Sequence, residues 1–220
     1  KNFRVMNKKE LEYVDYLLKK FREVKDEKPI FKESIKALEL QREIMLGNKD
    51  VPIATETPPT IGKDNASITL IEFMDFECPP CKKATKIIKN ILKKYPDDIR
   101  LVFRNFPRIE KHPFAIKAAE AALCAHKQGK FWEYCDLLFE NQDNLNDKIL
   151  MEIAKNVGLD MDGFKGCVLF NESAKRVSED LDLALALDVK MVPTFFINGQ
   201  KIDGRNSLKN LEKIIEKKLG

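Results

Sequence analysis

Residues 67–83 read SITLIEFMDFECPPCKK, an apolar run that ends in two cysteines separated by two prolines. Ile68, Thr69, Leu70, Ile71 and Phe73 give the run the character of a buried strand. The residues that follow, KKATKIIKNILKKY (82–95), put Ala84, Ile87, Ile88 and Ile91 on one side at helical spacing, and Pro96-Asp97 ends the pattern. A second apolar strand, IRLVFRNF (99–106), comes next. Cys78 and Cys81 therefore fall at the joint of a strand-helix-strand unit, where the first backbone N–H groups of the helix lack intrahelical partners.

Working outward, the chain from Pro113 to about Leu187 reads as nearly all helical, with breaks at Gly129, Asn144, Gly158 and Asn171. VPTFFINGQKIDG (192–204) predicts a hairpin turning at Asn198-Gly199, and SLKNLEKIIEKKL (207–219) a closing helix. These elements predict an α/β catalytic domain over 67–220 carrying a helical insertion at about 112–188. Upstream, 48–66 contains Pro52, Pro58, Pro59 and Gly62 and reads as a linker or an edge segment. Residues 1–47 predict two amphipathic helices, with Leu11, Val14, Leu18 and Phe21 on one stripe and Phe31, Ile35, Leu38 and Met45 on the other. A plausible capping box, Asn7 with Glu10, opens the first, Pro29 separates the two, and Gly47-Asn48 stops the second. Each stripe is apolar on one side only and needs a partner.

The chain of 220 residues is long enough for one well-filled domain plus an accessory segment. Its net charge of +4 is spread along the length, with Lys interleaved among Asp and Glu, which fits solvated helix faces rather than a nucleic-acid groove. No apolar run approaches the ~18 residues of a membrane span, so no membrane insertion is expected. The opening KNFRVMNKKE lacks the apolar centre of a signal peptide; one removed upstream would leave no trace.

Three chemistries compete for the Cys-Pro-Pro-Cys motif. A structural zinc site needs four ligands, but Cys124, Cys135, Cys167, His112 and His126 are scattered without finger spacing, so no metal is expected. A disulfide closing so short a loop constrains little of the unfolded chain. Redox exchange remains. Cys78, at the helix start, is placed to attack as a thiolate, and Cys81, one turn inward, to resolve the mixed disulfide. Pro79 and Pro80 suit the first turn but withhold two amide donors from Cys78. Lys82 and Lys83 are expected to favour the thiolate and Glu77 to oppose it. With no histidine between the cysteines, intermediate oxidising power is expected.

The sequence resembles the DsbA-like branch of the thioredoxin superfamily over roughly residues 59–220. The likeness is carried by PTIGKDNASITLIEFMDFECPPC (59–81), GKFWEYCDLLFENQ (129–142), VGLDMDGFKGCV (157–168) and MVPTFFINGQKIDG (191–204). It implies a thioredoxin-like fold and a cis Val192-Pro193 bond lying against the Cys78 sulfur. It also implies a substrate-binding surface that includes Val192, Thr194, Pro79 and Pro80. Glu72 matches the position of a buried acid that relays a proton for Cys81. A solvent-facing strand carboxylate is the alternative, although Ile71 and Phe73 flank it in an apolar run. Cys124 and Cys167 fall where related sequences can carry a second, structural disulfide, with two buried free thiols as the alternative. Cys135 stands where relatives often carry His and is expected to be buried and unpaired, and Phe131, Trp132 and Tyr134 read as core aromatics.

The resemblance implies a thiol-disulfide oxidoreductase that exchanges disulfides in extracytoplasmic, most simply periplasmic, substrate proteins. It needs no cofactor beyond its own dithiol and relies on a redox partner to reset it. The stretch FREVKDEKPIFKESIKALELQREIM (21–45) resembles the N-terminal oligomerisation stalk of ScsC-type relatives, which favours a homo-oligomer, dimer or trimer, and disulfide isomerisation. The alternatives are a monomeric DsbA-like oxidase and, in a different class, a chaperone or binding module with an incidental dithiol.

Overall fold

In the computed structural model, Asp15, Leu18, Lys19, Glu39 and residues 58–202 and 207–219 are described. The expected pair of N-terminal helices, the oligomerisation region at 1–47 and most of the linker lie outside these residues; Asp15, Leu18, Lys19 and Glu39 are helical.

The sheet is built around the opening apolar run. Strand β2 (Ile68–Met74) is the central one, with the order β1-β3-β2-β4-β5. Its parallel neighbour is β3 (Ile99–Asn105), reached through helix α1 (Pro79–Lys94), and Glu72 stands opposite Phe103 in the register. On its other side runs β4 (Thr194–Ile197), antiparallel, which turns into β5 (Gln200–Ile202). The turn is Asn198-Gly199, both with positive φ (48° and 78°), the two-residue geometry that matches strand twist. Asn198 does more than turn: its Oδ1 accepts from the Thr69 N–H at 2.7 Å and its Nδ2 donates to Ser67 O, locking the hairpin onto β2. The sheet also takes in β1 (Thr60–Ile61), ahead of residue 67, as an antiparallel edge on β3. Gly62 permits this edge, because its φ is +100° and a Cβ there would lie 2.1 Å from Ile99 O.

Period two decides what each strand residue faces. Leu70 and Met74 turn into the larger core with Leu101, Phe103, Phe195 and Ile197, while Ile71, Phe73, Val102 and Phe196 turn to the opposite face. The larger core is closed by α1 and the C-terminal helix α7 (Ser207–Leu219). The inserted α2 (Ala115–Lys127), α3 (Phe131–Glu140), α4 (Asp147–Asn156) and α5 (Met161–Leu169) complete it. The helical breaks fall near the predicted points, with Asn146 capping α4 and Asp160 capping α5 through their side-chain oxygens. Helix α6 (Ala174–Ala186) covers the opposite face through Leu183 and Ala184. There Asp180, 1% exposed, takes Arg104 Nη1 at 2.9 Å together with the backbone N–H and Nδ2 of Asn105. A buried ion pair whose carboxylate accepts three hydrogen bonds fastens α6 to β3; removing one partner would leave an uncompensated buried charge. The result is a thioredoxin-like α/β fold with a helical insertion, the class the sequence predicts.

Candidate active site

Cys78 is the N-cap of α1, in extended conformation (φ −84°, ψ 114°), and Pro79 and Pro80 occupy the first helical positions. Because neither proline has an N–H, the first amide the helix can offer is that of Cys81, which donates to Cys78 O at 2.9 Å. Both cysteines are free thiols, with Cys78 7% exposed and Cys81 fully buried, while Pro79 and Pro80 are exposed.

The two sulfurs differ in acidity. The Cys78 thiol is pulled down to about 7, first by the hydrogen bond that the Cys81 side chain gives its sulfur. Burial opposes this, the Cys81 backbone N–H assists, Asp75 opposes and His112 assists. Cys81 is pushed well up, chiefly by burial and then by its role as donor to Cys78. One thiol is thus ready as a nucleophile near neutral pH and its neighbour holds its proton.

Glu72 sits on the core-facing side of β2, 4% exposed, and its Oε2 has no hydrogen-bond partner among the described residues. Burial lifts this carboxyl to about 8. A group that binds and releases a proton near neutral pH inside the core is suited to proton transfer. Cys135 is also buried and free, its acidity suppressed by burial and then by the charge of Glu72. Phe131, Trp132, Phe103, Phe76 and Phe139 form a chain of ring contacts 4.9–6.3 Å apart, which makes the aromatic cluster part of the core.

Across from Cys78 lies the segment before β4. The Val192-Pro193 peptide bond is cis, and Val192 O is 3.7 Å from Cys78 Sγ. Val192 and Pro193 are half-buried and Met191 is 55% exposed. Thr194 is buried and gives its hydroxyl to Met191 O at 2.7 Å, so its side chain stabilises the loop instead of facing outward.

Two residues stand at the site that the sequence did not single out for it. Asp75, at the end of β2, accepts from Glu77 N–H, Arg108 N–H and, at 2.7 Å, meets His112 Nδ1. His112, considered in the sequence only as a scattered metal ligand, comes from the loop between β3 and α2. No local signal pairs these residues; only the parallel crossover brings them together. Glu77 uses its carboxylate on the Phe114 N–H at 2.7 Å, at the start of α2, so the acid opposing the Cys78 thiolate is Asp75. Lys82 Nζ reaches back to Glu140 O on α3.

The second cysteine pair lies in the insertion. Cys124 on α2 and Cys167 on α5 are bonded, with Cα atoms 5.9 Å apart. Ser173 Oγ lies 3.5 Å from one sulfur and 3.7 Å from the other.

The family model described as thioredoxin matches residues 54–217. The Na(+)/H(+) antiporter NhaA 3 of Salinispora tropica is 37% identical over 161 residues, 73% of this chain and 24% of that protein. The corresponding antiporter of Herminiimonas arsenicoxydans is 33% identical over 173 residues, 76% of this chain and 27% of that protein. The chain spans about a quarter of the length of these curated relatives. Oxidised BdbD from Bacillus subtilis superposes with a TM-score of 0.66 at 27% identity, covering 74% of this chain and 92% of that one. A thioredoxin-like oxidoreductase from Silicibacter pomeroyi gives 0.63 at 25%, covering 80% and 96%. The catalytic domain of Proteus mirabilis ScsC shares the fold, with a TM-score of 0.64 at 24% identity over 84% of this chain and 97% of that one. A match running from residue 54 to residue 217 takes in every strand of the sheet and both cysteine pairs, and the chain therefore belongs to the thioredoxin family.

Proposed function

We propose that this chain is a thiol-disulfide oxidoreductase that exchanges disulfides in extracytoplasmic proteins through Cys78 and Cys81, in the direction of isomerisation. The observation that carries the reading is the split between the two sulfurs, one lowered to about 7 and the other held well above an ordinary thiol. The Cys78 thiolate attacks a sulfur of the substrate disulfide, forming a mixed disulfide and releasing a substrate thiolate. That thiolate can then attack elsewhere in the substrate, and when a substrate sulfur displaces Cys78 a new pairing results with no net oxidation. Otherwise Cys81 passes its proton to Glu72 in the ionised form of that carboxyl and attacks the Cys78 sulfur, expelling the substrate sulfur; the enzyme becomes oxidised and the substrate, protonated by solvent, leaves with two thiols. A redox partner that returns the dithiol keeps the cycle in the isomerase direction.

Met191, Val192, Pro193, Pro79 and Pro80 surround the sulfur as the docking surface for an unfolded segment, with Thr194 holding the loop behind it. Oxidising surroundings such as a periplasm suit a chain that carries the bonded Cys124–Cys167 pair. The antiporter names belong to proteins of which this chain spans about a quarter, and no helix among the described residues is long and apolar enough to cross a membrane. Isomerisation is favoured by the two one-sided apolar stripes at 1–47, which suit assembly of several Cys78 sites around one substrate, as a dimer or trimer joined to the catalytic domain by the 48–66 segment.

The test has two arms. Alkylation of Cys78 should titrate with a midpoint near 7, and the variant with both Cys78 and Cys81 replaced by Ala should lose all exchange; a holdase would keep its activity. Mass in solution and refolding of a scrambled substrate should both fall to monomer behaviour when the chain starts near Val51. Equal isomerisation by the shortened chain would return the protein to a simple oxidase.

A further inference from the structure

The turn that presents Cys78 is organised by a buried acid. Asp75 has a side chain with no exposure, its Oδ1 accepts the Glu77 N–H at 2.8 Å, its Oδ2 accepts the Arg108 N–H at 2.7 Å, and its backbone O accepts the Cys78 N–H at 3.1 Å. The acid is needed for the shape of the turn, yet a buried negative charge this close to a thiol works against forming a second one. His112 is the group set against it. Its Nδ1 is 2.7 Å from Asp75 Oδ2, and its side chain is 19% exposed while that of Asp75 is wholly buried.

The loop carrying His112 is fixed at several points. His112 N donates to Arg108 O at 2.9 Å, the Phe114 N–H is held by Glu77, and Arg108 Nη1 reaches Lys190 O beside the segment that faces Cys78. Around the pair stand Glu77 from the turn, Arg108 with its ion-pair partner Glu110 from the loop, and the thiols of Cys78 and Cys81.

We infer that His112 is a positioning residue for Cys78: held by Asp75, it offsets the buried carboxylate and so sets the reactivity of the attacking sulfur from outside the Cys-Pro-Pro-Cys motif. The inference deepens the exchange reading and rests on it for its functional meaning. The two prolines of the motif supply no amide and no cation, and a ring brought by a different element takes that part.

The experiment reads electrostatics rather than turnover. The Cys78 alkylation midpoint is compared between the parent and its variants, with His126→Gln, at the other of the chain's two histidines, as the control that should not move it. His112→Gln, which keeps a donor for Asp75, should raise the Cys78 alkylation midpoint and make the dithiol less oxidising against glutathione by several-fold. Adding Asp75→Asn should reverse most of that change. A His112→Gln midpoint equal to the parent's would show a purely structural role. Absence of exchange activity would defeat the proposed function but leave the alkylation midpoint readable, so the two failures are distinguishable.

Discussion

Two pairs of cysteines in one small domain have opposite fates. Cys78 and Cys81 share the head of α1, where one thiol is lowered to about 7 and its neighbour raised. Cys124 and Cys167 lie 43 residues apart on α2 and α5 and are bonded in the interior beside Ser173. A bond across the short loop of the first pair would constrain almost nothing in the unfolded chain, whereas closing the long loop removes much of the unfolded chain's freedom. The first pair also has an exposed flank, the prolines and Met191, and a charged neighbourhood in Asp75 and His112; the second has one hydroxyl and apolar surroundings. Loop length and access set the two pairs apart.

The sharpest way to break the contrast is at the first pair. Cys78→Ser should abolish exchange outright, while Cys81→Ser should leave attack intact and accumulate mixed disulfides that gel mobility under non-reducing conditions reveals. Replacing Cys124 and Cys167 together by Ala should leave the exchange rate of folded protein unchanged but cost about 4 kcal/mol of stability in the chain-entropy model, read from denaturant unfolding.

A subtler separation comes from acidity. Folded Glu72 keeps its proton up to about 8, whereas the unfolded group loses it near 4.5. Between those values the folded state binds the extra proton, so its contribution to stability is full below the lower value. It is lost as pH rises through the higher one, at up to about 1.4 kcal/mol per pH unit. Glu72→Gln should flatten that slope and slow resolution by Cys81. Loss of the Cys124–Cys167 bond should instead lower the whole curve without changing its slope. The smallest effect belongs to Ser173→Ala, which removes the hydroxyl beside the structural sulfurs. It should cost about 1 kcal/mol or less and leave the Cys78 titration unmoved.

How far the sequence could be read follows from the range of each interaction. The strand-helix-strand unit, the Asn198-Gly199 hairpin and the helical insertion were legible because periodicity and turn chemistry act over a few residues. Glu72 was a candidate through the family resemblance, with the apolar run around it favouring burial, and burial then supplied its shift. The edge strand Thr60–Ile61 falls in the stretch read as a linker or an edge segment, but its partner was not legible, since nothing local says that Pro59 O will receive the Phe103 N–H.

The sequence by itself determined that Cys78 heads a helix whose first two residues donate nothing, because proline lacks an N–H whatever surrounds it. It determined the alternation that sends Glu72 to one side of the sheet and Ile71 and Phe73 to the other. Only the tertiary structure decided that Cys124 bonds Cys167, that Arg104 and Asp180 close on each other beneath α6, and that His112 meets Asp75 beside Cys78. Each of those contacts joins residues far apart in the chain, and their energies depend on distance and burial that exist only once the sheet and its crossovers have formed.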